Sequence, residues 1–253
     1  SSLPSGSSSP GKITGGLQAN STSSSSANTV TIGGDSGTAV VLDDANTFTG
    51  LATVNANATA QVQNNTGFGA VAGGVTVTSG GRIQISNNIT VGNESLTLNG
   101  TGISSSGALQ NTSGNNTWQD AITLASAASI NSDGGTLSLN VDSGNAISGT
   151  FNLTFGGAGN VTVSDPIATS TGTITKDGGG TLTFAGANTY TGSTTINAGN
   201  LTVASGGNLG SGSDIYIDGS GTLTVNNSCS VASLRERASG DSGTATIGSG
   251  AVL

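Results

Sequence analysis

Residues 178–210 read GGGTLTFAGANTYTGSTTINAGNLTVASGGNLG, and this stretch decides the fold. It holds two short alternating runs, Leu182-Thr-Phe184 and Leu201-Thr-Val203, separated by clusters of Gly, Asn and Ser. Apolar and polar residues that alternate over a few positions mark a half-buried strand, because successive side chains point to opposite faces. The same pattern extends outward in both directions: Val30-Thr-Ile32, Val75-Thr-Val77, Ile83-Gln-Ile85, Leu96-Thr-Leu98, Leu137-Ser-Leu139, Val161-Thr-Val163, Leu223-Thr-Val225 and Thr246-Ile247. Sustained helical spacing is absent. The best helix candidate, Ser230 to Ala238, is too short and isolated to change the class. The chain reads as all-β.

Strand spacing selects the architecture. Leu139, Val161, Leu182, Val203, Val225 and Ile247 recur at a nearly even interval of about 21 residues. A fixed period of about 20 residues is the mark of a solenoid whose coils stack on one another. Each coil is expected to carry two or three short strands, with Gly and Asn at corners that need φ > 0. Stacked Asn side chains at equivalent corners are expected to form amide ladders. Leu, Val and Ile then fill the axis while Thr and Ser face water. Residues 29–253 divide into roughly ten to eleven coils of about 21 residues, a rod of about 50 Å at ~4.8 Å per coil. Residues 1–28 are Ser-rich and of linker composition, interrupted by Ile13 to Leu17. An arm with so little to bury is expected to lie against a neighbouring body, with Ile13 and Leu17 as its contacts.

Composition excludes several function classes. Gly, Ser, Thr and Asn make up more than half of the 253 residues, and charged residues are 7%. The chain has no His, which removes His-ligated metals and Ser-His or Cys-His nucleophile pairs. Net charge is −8, and the cations are Lys12, Lys176, Arg82, Arg235 and Arg237, so no basic stripe exists for nucleic acid. Cys229 is the single cysteine, so no internal disulfide forms. No stretch approaches the ~18 apolar residues that span a bilayer, so membrane insertion is not expected. No cofactor is expected. The low charge and abundant Asn, Ser and Thr suit an extracellular or cell-surface protein.

A longer repeat is also present. Ala45-Asn46-Thr47-Phe48-Thr49-Gly50 and Ala187-Asn188-Thr189-Tyr190-Thr191-Gly192 differ only in the exchange of Phe and Tyr. Thr53-Val-Asn-Ala56 then matches Thr195-Ile-Asn-Ala198, and the two copies occupy about 41–69 and 178–210. The run from Gly178 to Val203 closely resembles the autotransporter-associated β-strand repeat of bacterial passenger domains and large secreted surface proteins. The stretch from Gly107 to Trp118, followed by Ile122-Thr-Leu124, is similar to the spacer in long arrays of that family, so the resemblance covers roughly 39–225. It implies a right-handed parallel β-helix, export, and a structural or adhesive role. The first copy departs from the pattern, with Asp43-Asp44 where the second has Ala185-Gly186, so a less regular coil is expected there.

Candidate chemistry is thin. Polysaccharide-cleaving β-helices need clustered carboxylates. Asp43-Asp44 is the one adjacent acidic pair, and adjacent strand residues point to opposite faces. Gly156-Gly-Ala-Gly-Asn160 only approximates a calcium-binding β-roll repeat, and Trp118, the sole tryptophan, reads as a packing residue. Catalysis is therefore not expected. Arg235-Glu236-Arg237 is the one charged cluster, and the chain closes on an uncapped strand pattern ending in Val252-Leu253. Solenoid ends are unpaired sheet edges that invite another chain. The expectation is a non-enzymatic exported subunit stacking end to end into a surface fibre, matrix filament or adhesin stalk. Arg235, Arg237, Val252 and Leu253 are its candidate assembly contacts, and cell-surface or matrix glycans are candidate partners. A passenger fragment of a longer autotransporter adhesin is the alternative, and a glycan-binding or glycan-cleaving β-helix a third.

Overall fold

The computed structural model describes residues 11–12, 29–33, 38–69, 73–236 and 242–253. Every strand pairing within them is parallel, and the chain winds as an all-β solenoid of about 9 turns with about 22 residues per turn. The expected ten to eleven coils exceed this count slightly, because the walls are unequal: among the described residues one carries eleven stacked strands, one eight and one seven.

Three walls enclose the axis. The first runs Val30–Ile32, Ala52–Val54, Val75–Val77, Leu96–Gly100, the start of Ile122–Ser132, Ile147–Gly149 and Ile167–Ala168. The second begins with Gly11–Lys12 on Thr38–Leu42 and continues through Ala58–Val62, Arg82–Ile85, Leu109–Asn111 and the end of Ile122–Ser132. It then passes through Leu153–Gly156, Ile174–Lys176, Thr194–Ile196, Asp214–Ile217 and Ser233–Arg235. Ile122–Ser132 is long enough to serve both walls, with its register breaking between Leu124 and Ala128 at the corner. The third wall is a separate sheet: Thr90–Gly92, Asn115–Gln119, Thr136–Leu139, Asn160–Val163, Thr181–Phe184, Asn200–Val203, Thr222–Val225 and Thr244–Ile247.

The axial core is made of apolar files, one residue per coil. On the third wall, Leu137, Val161, Leu182, Leu201 and Leu223 stack in register and are buried, as are Leu139, Val163, Phe184, Val203 and Val225 beside them. Along the first file the rungs are unevenly spaced in sequence, with the longest step from Leu137 to Val161 and the shortest from Leu182 to Leu201. The even ladder seen in the sequence hopped between the two neighbouring files, from Leu139 to Val161 and from Leu182 to Val203, and so concealed this variation. Corners take the conformations expected of them. Asn57, Asn87, Asn88 and Asn93 all have positive φ, a region that Asn tolerates better than other side chains.

Candidate functional site

The repeat motif builds one corner of the solenoid, and builds it twice. Thr47 and Thr49 are exposed while Asn46, Phe48 and Gly50 are buried; Thr189 and Thr191 are exposed while Asn188 and Tyr190 are buried and Gly192 half-buried. The buried asparagine satisfies backbone groups that a non-strand corner leaves open. Asn46 Nδ2 donates to Gly67 O at 2.7 Å, one coil on. Asn188 Nδ2 donates to Asn208 O at 2.7 Å, and its Oδ1 accepts from Ile167 N at 2.8 Å, so one side chain clamps the coils on either side of it. The exposed threonine adds to this where its hydroxyl reaches back, as Thr191 Oγ1 does to Ser170 O at 3.2 Å.

The aromatic of each copy enters the core. Tyr190 is fully buried, edge-on to Phe184 at 6.5 Å between ring centres, and Phe184 is edge-on to Phe155 at 6.4 Å. Burial pushes the Tyr190 phenol up to about 12, so it stays neutral, and its Oη shares a hydrogen bond of 2.8 Å with Thr194 Oγ1. In the first copy Phe48 has no hydroxyl, and Ala52 stands where Thr194 stands in the second. The buried hydroxyls are present together or absent together, as satisfying a buried polar group requires. Glycine at the corner is a matter of close approach. A Cβ on Gly192 would lie 2.2 Å from Gly172 O. One on Gly69 would lie 2.2 Å from Phe48 O, and one on Gly210 2.2 Å from Tyr190 O, so both copies need a glycine one coil beyond the aromatic. Both the Tyr190–Thr194 pairing and these distant glycines were missed in the sequence. The signal was there, as matched exchanges between the two copies of the repeat.

Side-chain ladders also join the coils; among the described residues the amide-to-amide bonds between coils lie at glutamines, while corner asparagines reach backbone and hydroxyl groups of the next coil. On the second wall Gln61 Nε2 donates to Gln84 Oε1 at 3.1 Å, Gln84 Nε2 to Gln110 Oε1 at 2.8 Å, and Gln110 Nε2 to Asp133 Oδ2 at 2.5 Å. Beside this ladder, Arg82 donates to Thr59 Oγ1 and Ser106 Oγ.

Two buried charges complete the interior. Lys176 replaces an apolar residue in the file between Phe155 and Ile196, and its Nζ donates to Asp177 O, Gly178 O and Ala198 O at 2.7–3.1 Å. Burial lowers its pKa to about 8, while Asp177 favours the charged form. Glu94 is buried at a first-wall corner, where Oε2 accepts from Gly74 N at 3.1 Å. Burial first, and the Asp120 charge with it, push this carboxyl up to about 7. Both groups are spent on holding corners closed. Trp118 is fully buried against Phe68, with ring centres 6.2 Å apart, and packs as the sequence reading had it.

Of the candidate assembly contacts, Ile13, Leu17 and Arg237 lie outside the described residues. Arg235 is exposed at the last rung of the second wall. Val252 is 66% exposed, and Leu253 packs partly against the core. Ile217, Leu234, Arg235, Glu236, Gly243 and Ala245 line an open cleft between the second and third walls at this last coil. Among the described residues no helix is long and apolar enough to cross a membrane.

No curated protein and no solved structure matches the chain. Residues 174–203, the second motif copy with the strands on either side of it, match the family model described as passenger-associated-transport-repeat. That family suggests a secreted or surface protein. The chain is thus a parallel β-solenoid that carries a passenger-associated-transport-repeat at residues 174–203, and in this it is similar to autotransporter passenger domains.

Proposed function

We propose that the chain is a non-enzymatic structural rod of an extracellular surface, which assembles in series with further copies as a fibre or stalk. The observation that carries this reading is the use of the repeat motif: Asn188 clamps two neighbouring coils through backbone bonds, and Tyr190 fills the core. A motif whose buried polar atoms are consumed in joining coils serves length and rigidity. The support for assembly in series comes from the coil at Ser233–Arg235 and Thr244–Ile247. There Leu234, Ala245 and Ile247 continue files that are buried in the preceding coil at Ile215, Leu223 and Val225, yet all three are exposed. A parallel edge with an exposed apolar file is what one further coil covers, whether that coil continues the same chain or belongs to a second copy.

Imaging and sedimentation of the full chain under native conditions test the reading. About 9 turns at ~4.8 Å each give a single rod of about 43 Å. Assembly predicts particles at multiples of that length, reduced to single rods by Ile247→Lys. Single rods at every concentration would sink the assembly reading. Depolymerisation of a surface glycan by the purified chain would sink the non-enzymatic one. Against the alternative of a passenger piece that acts only as part of a longer autotransporter, the same measurement discriminates, because that reading predicts no self-association.

A further inference from the structure

The outer face of the third wall is a two-dimensional array of hydroxyl and amide groups. Pairing is unbroken in register over the seven strands from Asn115–Gln119 to Thr244–Ile247. One outward file therefore runs Thr117, Ser138, Thr162, Thr183, Thr202, Thr224, Thr246, a hydroxyl on every rung. Two residues upstream in each strand a second outward file holds Asn or Thr, from Asn115 to Thr244. The strands thus present Thr-Leu-Thr at 181–183 and 222–224, Asn-Val-Thr at 160–162 and Thr-Ala-Thr at 244–246. Rungs repeat at ~4.8 Å and the two files stand ~6.7 Å apart, over a length of about 29 Å.

The coil-joining role accounts for part of this face and leaves the rest. Asn115 Oδ1 accepts from Thr136 N, and Asn160 Oδ1 from Thr181 N, so those amides cap the next strand. Asn200 Nδ2 donates to Thr202 Oγ1 and Thr224 Oγ1 donates to Asn200 Oδ1, while the hydroxyls of Thr117, Ser138, Thr162 and Thr183 make no side-chain hydrogen bond to any described residue, and all six of these Thr and Ser residues are partly exposed. No charged residue stands at an outward position of these seven strands, whereas the second wall carries Arg82 and Arg235 on its outer side. Nor does any aromatic ring stand there, as stacking on a sugar would require. β-Branched threonine on a sheet is held near one χ1, so methyls and hydroxyls repeat with the backbone rather than independently.

We propose that this wall binds crystalline water, that is, the surface of ice. Hexagonal ice repeats its oxygens along and across its prism face at spacings close to the rung and file spacings of this array. A rigid lattice of hydroxyls takes water positions in such a layer, and the methyls between them order the intervening water without losing hydrogen bonds of their own. An uncharged face suits a neutral lattice, since a bound charge would have to shed its hydration to dock. The array gains its order before it meets ice, so little ordering cost remains at binding.

Slow freezing of a solution of the full chain on a cooled probe tests this directly, with microscopy of single ice crystals alongside. The expected result is enrichment in the ice fraction, faceted crystals and a measurable gap between melting and freezing. Thr183→Tyr with Thr202→Tyr is expected to cut that gap at least tenfold, while Thr175→Tyr, outward on the second wall, leaves it unchanged. Circular dichroism establishes that each variant is folded. Should the tyrosine variant unfold, Thr183→Val with Thr202→Val removes the hydroxyls without changing shape, and a loss of several-fold is expected. Exclusion of the chain from ice with unshaped crystals overturns the proposal. So does equal activity of the third-wall variants, or retention on crystalline chitin or cellulose without retention in ice.

Discussion

At the scale of single residues, the interior is decided by whether each buried polar atom has a partner. Tyr190 and Thr194 share one buried hydrogen bond in the second repeat, and Phe48 and Ala52 do without it in the first. Tyr190→Phe strands the Thr194 hydroxyl and the Gly210 N–H that also reaches the phenol, and is expected to cost about 2 kcal/mol, whereas Thr194→Val leaves the phenol its Gly210 partner and is expected to cost about 1 kcal/mol. Made together they remove both polar groups, and the double variant is expected to lie about 1 kcal/mol above the sum of the singles in stability. Urea unfolding of the four proteins measures the coupling, and simple additivity would contradict the shared bond. Glu94 supplies a pH test. Its carboxyl, pushed up to about 7 by burial, holds a proton in the folded chain that the unfolded chain has lost above its ordinary value of 4.5. Stability from this group is therefore fully present below 4.5 and is lost as pH rises through 7. Thermal melts at pH 5 and pH 8 are expected to differ by a few degrees in favour of pH 5. Glu94→Gln keeps an acceptor for Gly74 N and should remove that part of the difference; an unchanged pH dependence in the variant argues against the assignment.

At the scale of coils and corners, the sequence was most legible where a strand is half exposed. Leu182-Thr-Phe184 and Leu201-Thr-Val203 advertise the third wall because alternation there separates core from solvent. The first wall was harder to see. Its late strands, Ile147–Gly149 and Ile167–Ala168, are too short to show a period. Corners were legible as turns but not as contacts, because whether Gly is needed for its φ or for space depends on the neighbouring coil. Gly210 is a case of space, since a Cβ there would meet Tyr190 O at 2.2 Å, while Gly179 has nothing within 4 Å of the same addition. Gly210→Ala must push the coils apart and is expected to cost about 2–3 kcal/mol. Gly179→Ala is expected to be neutral or to stabilise by about 0.5 kcal/mol, through the unfolded chain. Denaturation midpoints of the two variants settle it, and equal effects would mean that the corner yields freely.

At the scale of the whole molecule, the solenoid makes each coil depend on its neighbours and on little else. The sequence carried the class, the period and the repeat, because these are written in local patterning and self-similarity. It could not carry the coil count or the surface arrays. Variable corner lengths let the register drift between files, and Thr183 stands beside Thr202 only once that register is known. The same one-dimensional order governs stability, which is distributed as a sum of coil and interface terms rather than gathered in one centre. Leu182 and Leu201 lie on strands with a paired neighbour on either side, whereas Thr244–Ile247 is paired, among the described residues, only with Thr222–Val225. Opening an end coil breaks one interface and exposes side chains that are already partly wet; opening a middle coil breaks two and exposes Leu182 and Phe184, both fully buried. Amide hydrogen exchange of the full chain is therefore expected to be graded along the rod. Amides of Ser233–Arg235 and Thr244–Ile247 should exchange on the order of a hundredfold faster than those of Thr181–Phe184 and Asn200–Val203. Addition of Leu182→Asp should divide that gradient, raising exchange in the strands on either side of Thr181–Phe184 more than at Ala58–Val62, several coils away. Exchange at one common rate throughout would show a single cooperative unit, and the picture of independently stacked coils would then be wrong.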